Sequence, residues 1–528
     1  MQRIQFYKLP ISKPDFIQTI IPTLKNSLSL ALKHYIPLAG NVVCPLNSEG
    51  YPELRYVTGD SVSVIFSESN MDFNCLIGNH PRNAKDFYPF VPQIAEAKRA
   101  QGVVLAPLLA IKVTLFPSYG ISIGFTHHHV VGDGASIAGF QKTWALLNKF
   151  GGNEQFLADG LIPFYDRSLI KDPHGQGVSI WDDMKHKLDM STIIVTPPPP
   201  DKVRGTFIIG WDDITRLKKL ILSRRSNLTH ITSFTVTCAY VWTCLIKSDV
   251  VTGEEIDENR TEFFLCVADC RSRLNPPLPQ SYFGNCLVSV ITKASRVNLT
   301  RKEGFTIAAE LIGETIQKRM KDEEWIVKCE CIRELRNVDL NLTLSVSGSP
   351  KLDLCAVDFG WGRPEKVEFL SIDNAKGVSM SVSKYKDSDK DLEVGLSLPK
   401  TQMSAFAAIF THGLSFLAMK KDKELKLREV NEKKNKKLST TRILRESTIR
   451  VIQKMRKSKA KEKNTRRSVK TTGRVRNKKE GQKVTENRQE KQKDTQQNNY
   501  TKMKEQHQNV KDPNDKGFQR QLTHETTK

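Results

Sequence analysis

The sequence has little that would mark a secreted or membrane protein. Its 528 residues open without the basic, apolar and small-residue leader of a secretory signal peptide. By sequence, no stretch approaches the roughly 20 apolar residues that a transmembrane helix needs. All ten cysteines lie between Cys44 and Cys355 at irregular spacings, which is not the pattern of a disulfide framework. We therefore expect a cytoplasmic protein with reduced thiols and no membrane partner.

Net charge is nearly absent from most of the chain. Of 81 Lys and Arg and 58 Asp and Glu residues, about 35 basic and about 14 acidic ones follow Met419. The residues before Lys420 are close to neutral, so they give no electrostatic reason to bind nucleic acid. The tail, residues 420–528, is basic and almost free of aromatic side chains. Because such a composition buries too little apolar surface to fold, we expect a disordered tail.

The most informative motif is a histidine run that leads into a glycine turn. Residues 121–129 alternate as a strand does, with His127 and His129 on one face. Gly132-Asp133-Gly134 then breaks the pattern before a helix begins. A histidine fixed at the end of a strand can face a cleft, and its ordinary pKa of about 6.5 lets it accept and return a proton near neutral pH. His129 is therefore the candidate general base.

The motif has two other interpretations. Three consecutive histidines suggest a metal site, but neighbouring side chains on a strand point to opposite faces. His128 would not converge with His127 and His129 on one ion, so we expect no metal. Asp133 fits an N-cap of the helix that starts near Ala135, because aspartate accepts hydrogen bonds from free amide groups there. From spacing alone, it fits a partner of the catalytic histidine equally well.

A second motif, Asp358-Phe-Gly-Trp-Gly362, alternates glycines with aromatic residues, which suits a tight turn packed between rings. Together with His-x-x-x-Asp at 129–133, it resembles the plant BAHD family of CoA-dependent acyltransferases. The resemblance runs from about Phe6 to Leu417. It includes Ile36-Pro-Leu-Ala-Gly40, Ser233-Phe-Thr-Val-Thr-Cys-Ala-Tyr-Val-Trp242, Ala268-Asp-Cys-Arg-Ser-Arg-Leu274 and Tyr282-Phe-Gly-Asn-Cys286. The last two are similar to the branch that acylates sugars of anthocyanins and other phenolic glucosides.

The resemblance implies an α/β (α+β) fold of the chloramphenicol-acetyltransferase type. Two domains of mixed sheets flanked by helices would enclose an active-site channel, and a body of about 419 residues exceeds what one core usually holds. We place the N-terminal domain at residues 1–187, a proline-rich linker at 188–205 and the C-terminal domain at 206–419. The chain reaches Phe6-Tyr7-Lys8-Leu9 earlier than family members do, so we expect that a leading strand is missing.

The resemblance also implies a mechanism. His129 would take the proton from a sugar hydroxyl as that oxygen attacks the acyl-CoA thioester, and would then protonate the leaving sulfur. No Gly-x-Ser-x-Gly elbow is present to form an acyl-enzyme. Asp133 would pair with Arg271, or with Arg273 as the fallback, and so orient His129. The residues that would support the site by packing or turn geometry are Asp358, Gly360, Trp361 and Gly362.

For the acyl donor, the resemblance points to Ser345-Val-Ser-Gly-Ser-Pro-Lys351. Small residues there allow close approach, Lys351 would meet a phosphate of CoA, and Ser347 or Ser349 would help to hold the oxyanion. A malonyl group ends in a carboxylate that needs a cation, for which Arg204 is the candidate. The alternatives are a solvated loop lysine for Lys351 and a linker charge facing water for Arg204. Acyl-CoA is a cosubstrate, and we expect no bound cofactor.

Several functions therefore stay open at this point. The favoured one is transfer of an acyl group, malonyl in first place, from acyl-CoA to a sugar hydroxyl of a phenolic or flavonoid glucoside by a monomeric enzyme. A hydroxycinnamoyl-CoA donor is the runner-up, and another alcohol or an amine is a weaker choice of acceptor. From a different class, a non-catalytic binding protein could use the basic tail to hold nucleic acid or another polyanion.

Overall fold

The computed structural model describes residues 1–45, 50–100, 102–172, 175–185, 201–226, 228, 231–253, 260–327 and 330–471. The chain divides into two units, Met1–Leu427 and Arg428–Lys528. Strands of the first unit form three sheets within the described ranges. In chain order they are β1 (Gln2–Lys8), β2 (Asn41–Pro45), β3 (Glu53–Arg55), β4 (Ser63–Glu68), β5 (Arg82–Asn83), β6 (Lys98–Ala100), β7 (Val103–Pro107), β8 (Leu109–Phe116), β9 (Gly120–His127), β10 (Lys202–Ile209), β11 (Thr261–Asp269), β12 (Leu287–Ser295), β13 (Thr343–Ser347), β14 (Lys366–Phe369), β15 (Val378–Tyr385) and β16 (Ser388–Pro399).

Helices cover the sheets and connect their strands. Short 3-10 turns lie between several of these elements. The α-helices are α1 (Lys13–Asp15), α2 (Ile21–His34), α3 (Phe73–Ile77), α4 (Gly134–Lys149), α5 (Gln176–Lys185), α6 (Trp211–Arg224), α7 (Ser233–Val251), α8 (Arg296–Thr300), α9 (Gly304–Lys321), α10 (Glu323–Val327), α11 (Glu330–Leu335) and α12 (Lys400–Thr471).

The first sheet carries the histidine motif and has the strand order β14-β1-β9-β8-β4. β9 lies between β1 and β8 and pairs antiparallel with both. Every residue of β9 is buried, because one face packs under α2 and α4 in the core while Phe90 lies against the other. A Cβ at Gly124 would lie 1.9 Å from the Phe90 carbonyl oxygen, so this close approach requires glycine.

The sequence predicts a strand as far as His129, and this boundary is wrong. β9 ends at His127, whose partner is Leu109, the first residue of β8. His128 N still donates to the carbonyl of Leu108, the residue before β8, at 3.0 Å. The chain then closes into a 3-10 turn, His129–Val131, in which Val131 N donates to the His128 carbonyl.

The second sheet is mixed and has the order β12-β11-β13-β15-β16-β10-β5. β13 runs parallel to both β11 and β15, and the other neighbours are antiparallel. Two strands belong to the sheet of the other sequence half. β14, from the second half, forms an edge of the first sheet, and β5, from the first half, forms an edge of the second sheet. The mixed sheets flanked by helices confirm the predicted fold class. The exact division into domains at 1–187 and 206–419 stays a prediction.

β10 corrects the end of the predicted linker, 188–205. Residues 188–200 lie outside the described ranges, but Lys202–Ile209 is a strand that pairs with β16 along its whole length. The proline run suggested an extended connector, yet pairing with strands on both sides overrides that local preference from Lys202 onward. At the other end of the chain, β1 pairs on both edges, and the missing leading strand stays a prediction.

Two helices correct the expectation that no segment is long and apolar enough to cross a membrane. By length and composition, Ser233–Val251 and Lys400–Met419 both qualify. The first is 72% buried and fills the core beside the second sheet, which is the place of an apolar core helix. In the second segment, Met403, Phe406 and Phe410 are buried in the same core.

The expectation of a disordered tail from Lys420 is also corrected in part. Helix α12 continues to Thr471, and its residues 429–464 are exposed throughout. Lys, Arg, Glu and Leu favour helix locally, so a helix forms there without the buried core that the composition does not supply. Residues 472–528 lie outside the described ranges.

Candidate active site

His129 lies in the turn between β9 and α4, and its side chain is exposed. Its two neighbours in the run differ from it. Burial, together with the nearby positive amino terminus, lowers the pKa of His128 to about 4 and holds the pKa of the fully buried His127 well below its usual value. Both therefore stay neutral at pH 7. His129 is the accessible imidazole of the run, placed where a substrate hydroxyl could reach it.

The capping interpretation of Asp133 is confirmed. Its Oδ1 accepts hydrogen bonds from Ala135 N and Ser136 N, both at 3.1 Å, at the start of α4. The side chain is buried, with 1% exposed, so it points into the protein and not toward solvent beside His129. The helix start thereby fixes the C-terminal end of the loop that carries His129.

The predicted ion pair between Asp133 and Arg271 is also present. Arg271 Nη1 lies 2.8 Å from Asp133 Oδ2, and Nη2 donates to Oδ1 at 3.0 Å. Both side chains are buried. Burial alone would lower the pKa of Arg271, but hydrogen bonding to Asp133 and the negative charges of Asp133 and Asp269 raise it overall. Arg273, the fallback partner, is exposed and donates to the Asp269 carbonyl.

A loop of the second sequence half, 282–286, holds the His129 turn from the other side. Asn285 Nδ2 donates to the His129 carbonyl at 2.8 Å. Cys286 N donates to Asp133 Oδ2 at 3.1 Å, and Ser136 Oγ donates to the Gly284 carbonyl at 3.0 Å. The catalytic candidate is therefore positioned by backbone and side-chain contacts from both halves of the chain.

Sequence reasoning missed the positioning roles of Asn285 and Ser136. Asn285 belongs to Tyr282-Phe-Gly-Asn-Cys286, a segment that indicates the family resemblance. An amide side chain directly after a glycine in a loop was the available signal, because such a residue often bonds to a neighbouring backbone. For Ser136, the signal was its place in the first turn of a helix next to an N-cap aspartate.

The Asp358-Phe-Gly-Trp-Gly362 motif is a tight turn at the C-terminal end of α4. Asp358 Oδ1 accepts hydrogen bonds from Gly360 N and Gly362 N, both at 2.8 Å, and Lys149 Nζ binds its Oδ2 at 2.7 Å. Both glycines have positive φ, 98° and 90°, which favours glycine. His129 precedes the opposite end of this 16-residue helix, so the motif supports the site from a distance of more than four helical turns.

Aromatic packing at this turn confirms the structural interpretation of Trp361. Its ring stacks on Phe359 with centroids 5.3 Å apart. Phe359 in turn meets Trp144 of α4 at 4.9 Å and Tyr7 of β1 at 5.8 Å, both edge to face. The turn thus ties α4 to the first sheet.

Leu352, the residue after the predicted donor segment 345–351, lies against the first half of α4. A Cβ at Gly134 would be 2.9 Å from Leu352, and Lys142 Nζ donates to the Leu352 carbonyl at 2.8 Å. Ser347 Oγ lies 3.2 Å from Ser379 Oγ, and Ser349 Oγ caps the short turn that follows by accepting from Lys351 N. Lys351 is exposed. A role of Lys351 and the two serines in binding CoA or the oxyanion stays a prediction.

Arg204 is not the free cation that the sequence suggested. Its guanidinium is 2% exposed and is held by two carboxylates, with Nη2 at 2.8 Å from Glu368 and Nη1 at 2.5 Å from Asp373. It also donates to the Phe369 carbonyl. Neither the malonyl role nor the alternative of a linker charge facing water fits this environment, because the charge is buried and already balanced. The error follows from the linker boundary, since Arg204 lies inside β10.

Known proteins are similar to this chain in sequence and in fold. The family model described as the Transferase family matches residues 2–412. Phenolic glucoside malonyltransferase 1 of Nicotiana tabacum is 70% identical over 420 residues, which cover 79% of this chain and 92% of that protein. The malonyl-coenzyme:anthocyanin 5-O-glucoside-6'''-O-malonyltransferase of Salvia splendens is 42% identical, with 78% and 87% covered. Vinorine synthase shares the fold, with a TM-score of 0.56 at 19% identity over 77% of this chain and 88% of that structure.

Proposed function

Because this chain belongs to the Transferase (BAHD) family of acyltransferases, we propose that it moves a malonyl group from malonyl-CoA to a sugar hydroxyl of a phenolic or flavonoid glucoside. The observation that carries the proposal is the 70% identity over 92% of a phenolic glucoside malonyltransferase. The 420 aligned residues are 79% of this chain, and the family model matches residues 2–412, a range that includes His129, Asp133 and the turn at 358–362.

In this proposal His129 is the general base. Its imidazole takes the proton of the sugar hydroxyl while the hydroxyl oxygen attacks the thioester carbonyl of malonyl-CoA. As the tetrahedral intermediate collapses, the carbon–sulfur bond breaks and the imidazolium returns the proton to the CoA thiolate. The products are a malonyl ester and free CoA, and the histidine is neutral again. The exposed position of His129 supports this role.

Asp133, Arg271 and Asn285 act as positioning residues in the same scheme. The buried ion pair and the helix cap fix the backbone after His129, and Asn285 holds the carbonyl of His129 itself. A histidine that is held in place need not be ordered when the substrates bind, which lowers the barrier to reaction.

A donor and acceptor screen on the purified full chain tests the proposal. Malonyl-CoA, acetyl-CoA and p-coumaroyl-CoA would each be offered with a panel of phenolic glucosides, and products would be identified by mass spectrometry. We expect a malonyl ester as the main product. Preference for p-coumaroyl-CoA would support the hydroxycinnamoyl alternative, and turnover with none of the donors would favour a non-catalytic binding protein.

We also propose that the enzyme works in the cytoplasm. Nine cysteines in the described ranges are free, as a reducing compartment would allow. A fluorescent fusion of the full chain expressed in plant cells tests this, and secretion or a nuclear signal would contradict it.

A further inference from the structure

Arg3 is a buried arginine on the face of the first sheet that α4 covers. Arg3 lies on β1, where its cross-strand partners are Phe369 of β14 on one side and Phe125 of β9 on the other. Its guanidinium lies 4.9 Å from the centre of the Phe369 ring. Cross-strand partners share a face of the sheet, and Phe125 packs in the core beneath α4. The Arg3 side chain therefore lies between the sheet and α4, with only 4% of the residue exposed.

Among the described residues, no carboxylate forms an ion pair with Arg3. Its Nε and Nη1 are buried and have no hydrogen-bond partner there. Arginines buried to a similar degree elsewhere do have carboxylate partners: Arg82 meets Glu368, Arg204 meets Glu368 and Asp373, and Arg271 meets Asp133. Burial lowers the pKa of Arg3, but only to about 10, so it stays charged at neutral pH. An unpaired buried charge is costly, and a protein that keeps one commonly uses it.

Arg3 faces the first turn of α4, next to the catalytic loop. Its Nη2 lies 3.8 Å from the position that a Cβ would occupy on Gly134, the residue after Asp133. Leu352, the residue that follows the segment predicted to bind the donor, lies against the same glycine. The positive charge of Arg3 is one cause of the lowered pKa of the buried His127, which lies two residues before His129. The guanidinium thus lies where the catalytic loop and the donor segment meet.

Other buried polar groups on the same face also lack partners among the described residues. They are Gln5 Nε2, His127 Nδ1 and both amide atoms of Gln141. Gln5 is two residues from Arg3 on β1, so both side chains point to the same face. Gln141 is seven residues from Gly134 on α4, which puts both on one stripe of the helix. Buried polar atoms without partners are rare in native structures, and a bound polar group is one explanation for them.

We propose that Arg3 binds the terminal carboxylate of the malonyl group and so makes the enzyme select malonyl-CoA over neutral donors. This inference rests on the proposed function and assigns the role that the sequence had given to Arg204. A guanidinium binds a carboxylate through two parallel hydrogen bonds and prefers it to any neutral acyl end. An acetyl group has no such carboxylate, and it would leave the Arg3 charge unpaired.

The test compares the full-length wild type with Arg3→Met and Arg3→Lys, using malonyl-CoA and acetyl-CoA with one accepted glucoside. We expect Arg3→Met to lower kcat/KM for malonyl-CoA by about 10- to 100-fold, the effect of losing a hydrogen bond to a charged group, and to leave the acetyl-CoA value within about 3-fold. Arg3→Lys keeps the charge without the paired geometry, so its kcat/KM for malonyl-CoA should lie between those of the wild type and Arg3→Met.

A melting experiment on the same proteins without substrate separates this role from a structural one. An uncompensated buried charge is unfavourable, so Arg3→Met should melt at or above the wild-type temperature. Arg204→Met is the matched control, because it removes a buried arginine that has carboxylate partners, and it should melt lower. If Arg3→Met melts lower or does not fold, Arg3 is a structural residue and the inference is wrong.

The kinetic outcomes distinguish the inference from the proposed function. If the wild type transfers no malonyl group, the proposed donor is wrong, and the role of Arg3 is wrong with it. If the wild type does transfer malonyl and Arg3→Met loses both donors in parallel, or neither, then only the role of Arg3 is wrong. A selective loss of malonyl transfer supports both.

Discussion

Asp133 and Arg271 lie 138 residues apart in sequence and form a buried ion pair, with Arg271 Nη1 2.8 Å from Asp133 Oδ2. The pair joins the catalytic loop of the first half to the 3-10 turn that follows β11 in the second half. Asp133 also caps α4 and accepts a hydrogen bond from Cys286 N. One carboxylate therefore holds together the loop, the helix and the opposite half of the site.

Removal of Arg271 should destabilise the protein strongly. Arg271→Met leaves the Asp133 carboxylate buried without its cation, and we expect the free energy of unfolding to fall by about 3–5 kcal/mol. Urea denaturation followed by fluorescence measures this. Arg273→Met is the matched control, because Arg273 is exposed in the same turn, and a change within about 0.5 kcal/mol is expected for it. Equal stability of Arg271→Met and the wild type would contradict the bracing role.

Substitution of Asn285 should slow catalysis with little effect on substrate binding. Asn285→Ala removes the donor that holds the His129 carbonyl, and loss of one neutral hydrogen bond is expected to lower kcat by about 3- to 10-fold. Steady-state kinetics would show this with KM nearly unchanged. Asn285→Asp has a similar shape but cannot donate at that position, so it should be as slow as Asn285→Ala. Full activity of Asn285→Asp would show that the hydrogen bond does not position His129.

The protein should lose stability as the pH falls from about 6.5 toward about 4. Burial keeps His128 neutral in the folded state with a pKa of about 4, whereas the unfolded chain binds its proton near pH 6.5. Between these values the unfolded state holds more protons, so the free energy of unfolding decreases with decreasing pH. His128→Asn should have a flatter slope in this window, measured by urea denaturation at a series of pH values. An unchanged slope would mean that His128 is not buried as described.

A shortened chain that ends at Leu427 should keep full turnover. The strands of the described chain and every candidate site residue belong to Met1–Leu427, and the helix beyond it is exposed throughout residues 429–464. The first measurement is kcat/KM of both chains with the accepted donor and glucoside. The second is the affinity of the full and shortened chains for a DNA duplex at several salt concentrations. Activity lost together with a salt-dependent binding of DNA would support the polyanion-binding alternative instead.

The sequence predicted the chemistry of the site better than its surroundings. His129 and Asp133 are marked by a local pattern, a strand that ends in a glycine turn before a helix, and the N-cap follows from that pattern alone. The pairing of Asp133 with Arg271 could not be predicted from spacing, since no local pattern relates residues 133 and 271. The family resemblance predicted it. Such contacts depend on the tertiary fold, which composition and periodicity do not encode directly.

The errors have a common physical cause. Arg204 was assigned to a linker because Pro197-Pro-Pro-Pro200 precedes it, yet pairing with β16 and β5 makes it part of a sheet. The strands β5 and β14 each form an edge of the sheet of the other sequence half. No local sequence pattern predicts this exchange. Because Lys, Arg, Glu and Leu favour helix without a core, the long helix α12 includes a segment whose low apolar content predicts disorder.

The measurement that tests the central claim most directly is the turnover of His129→Ala with malonyl-CoA and an accepted phenolic glucoside, beside the wild type and His128→Ala. The account predicts that His129→Ala loses about 100- to 10,000-fold in kcat, the contribution of a positioned general base. Its melting temperature should stay close to that of the wild type, because the His129 side chain is exposed. Malonyl transfer by a folded His129→Ala protein at a rate near that of the wild type would contradict the account.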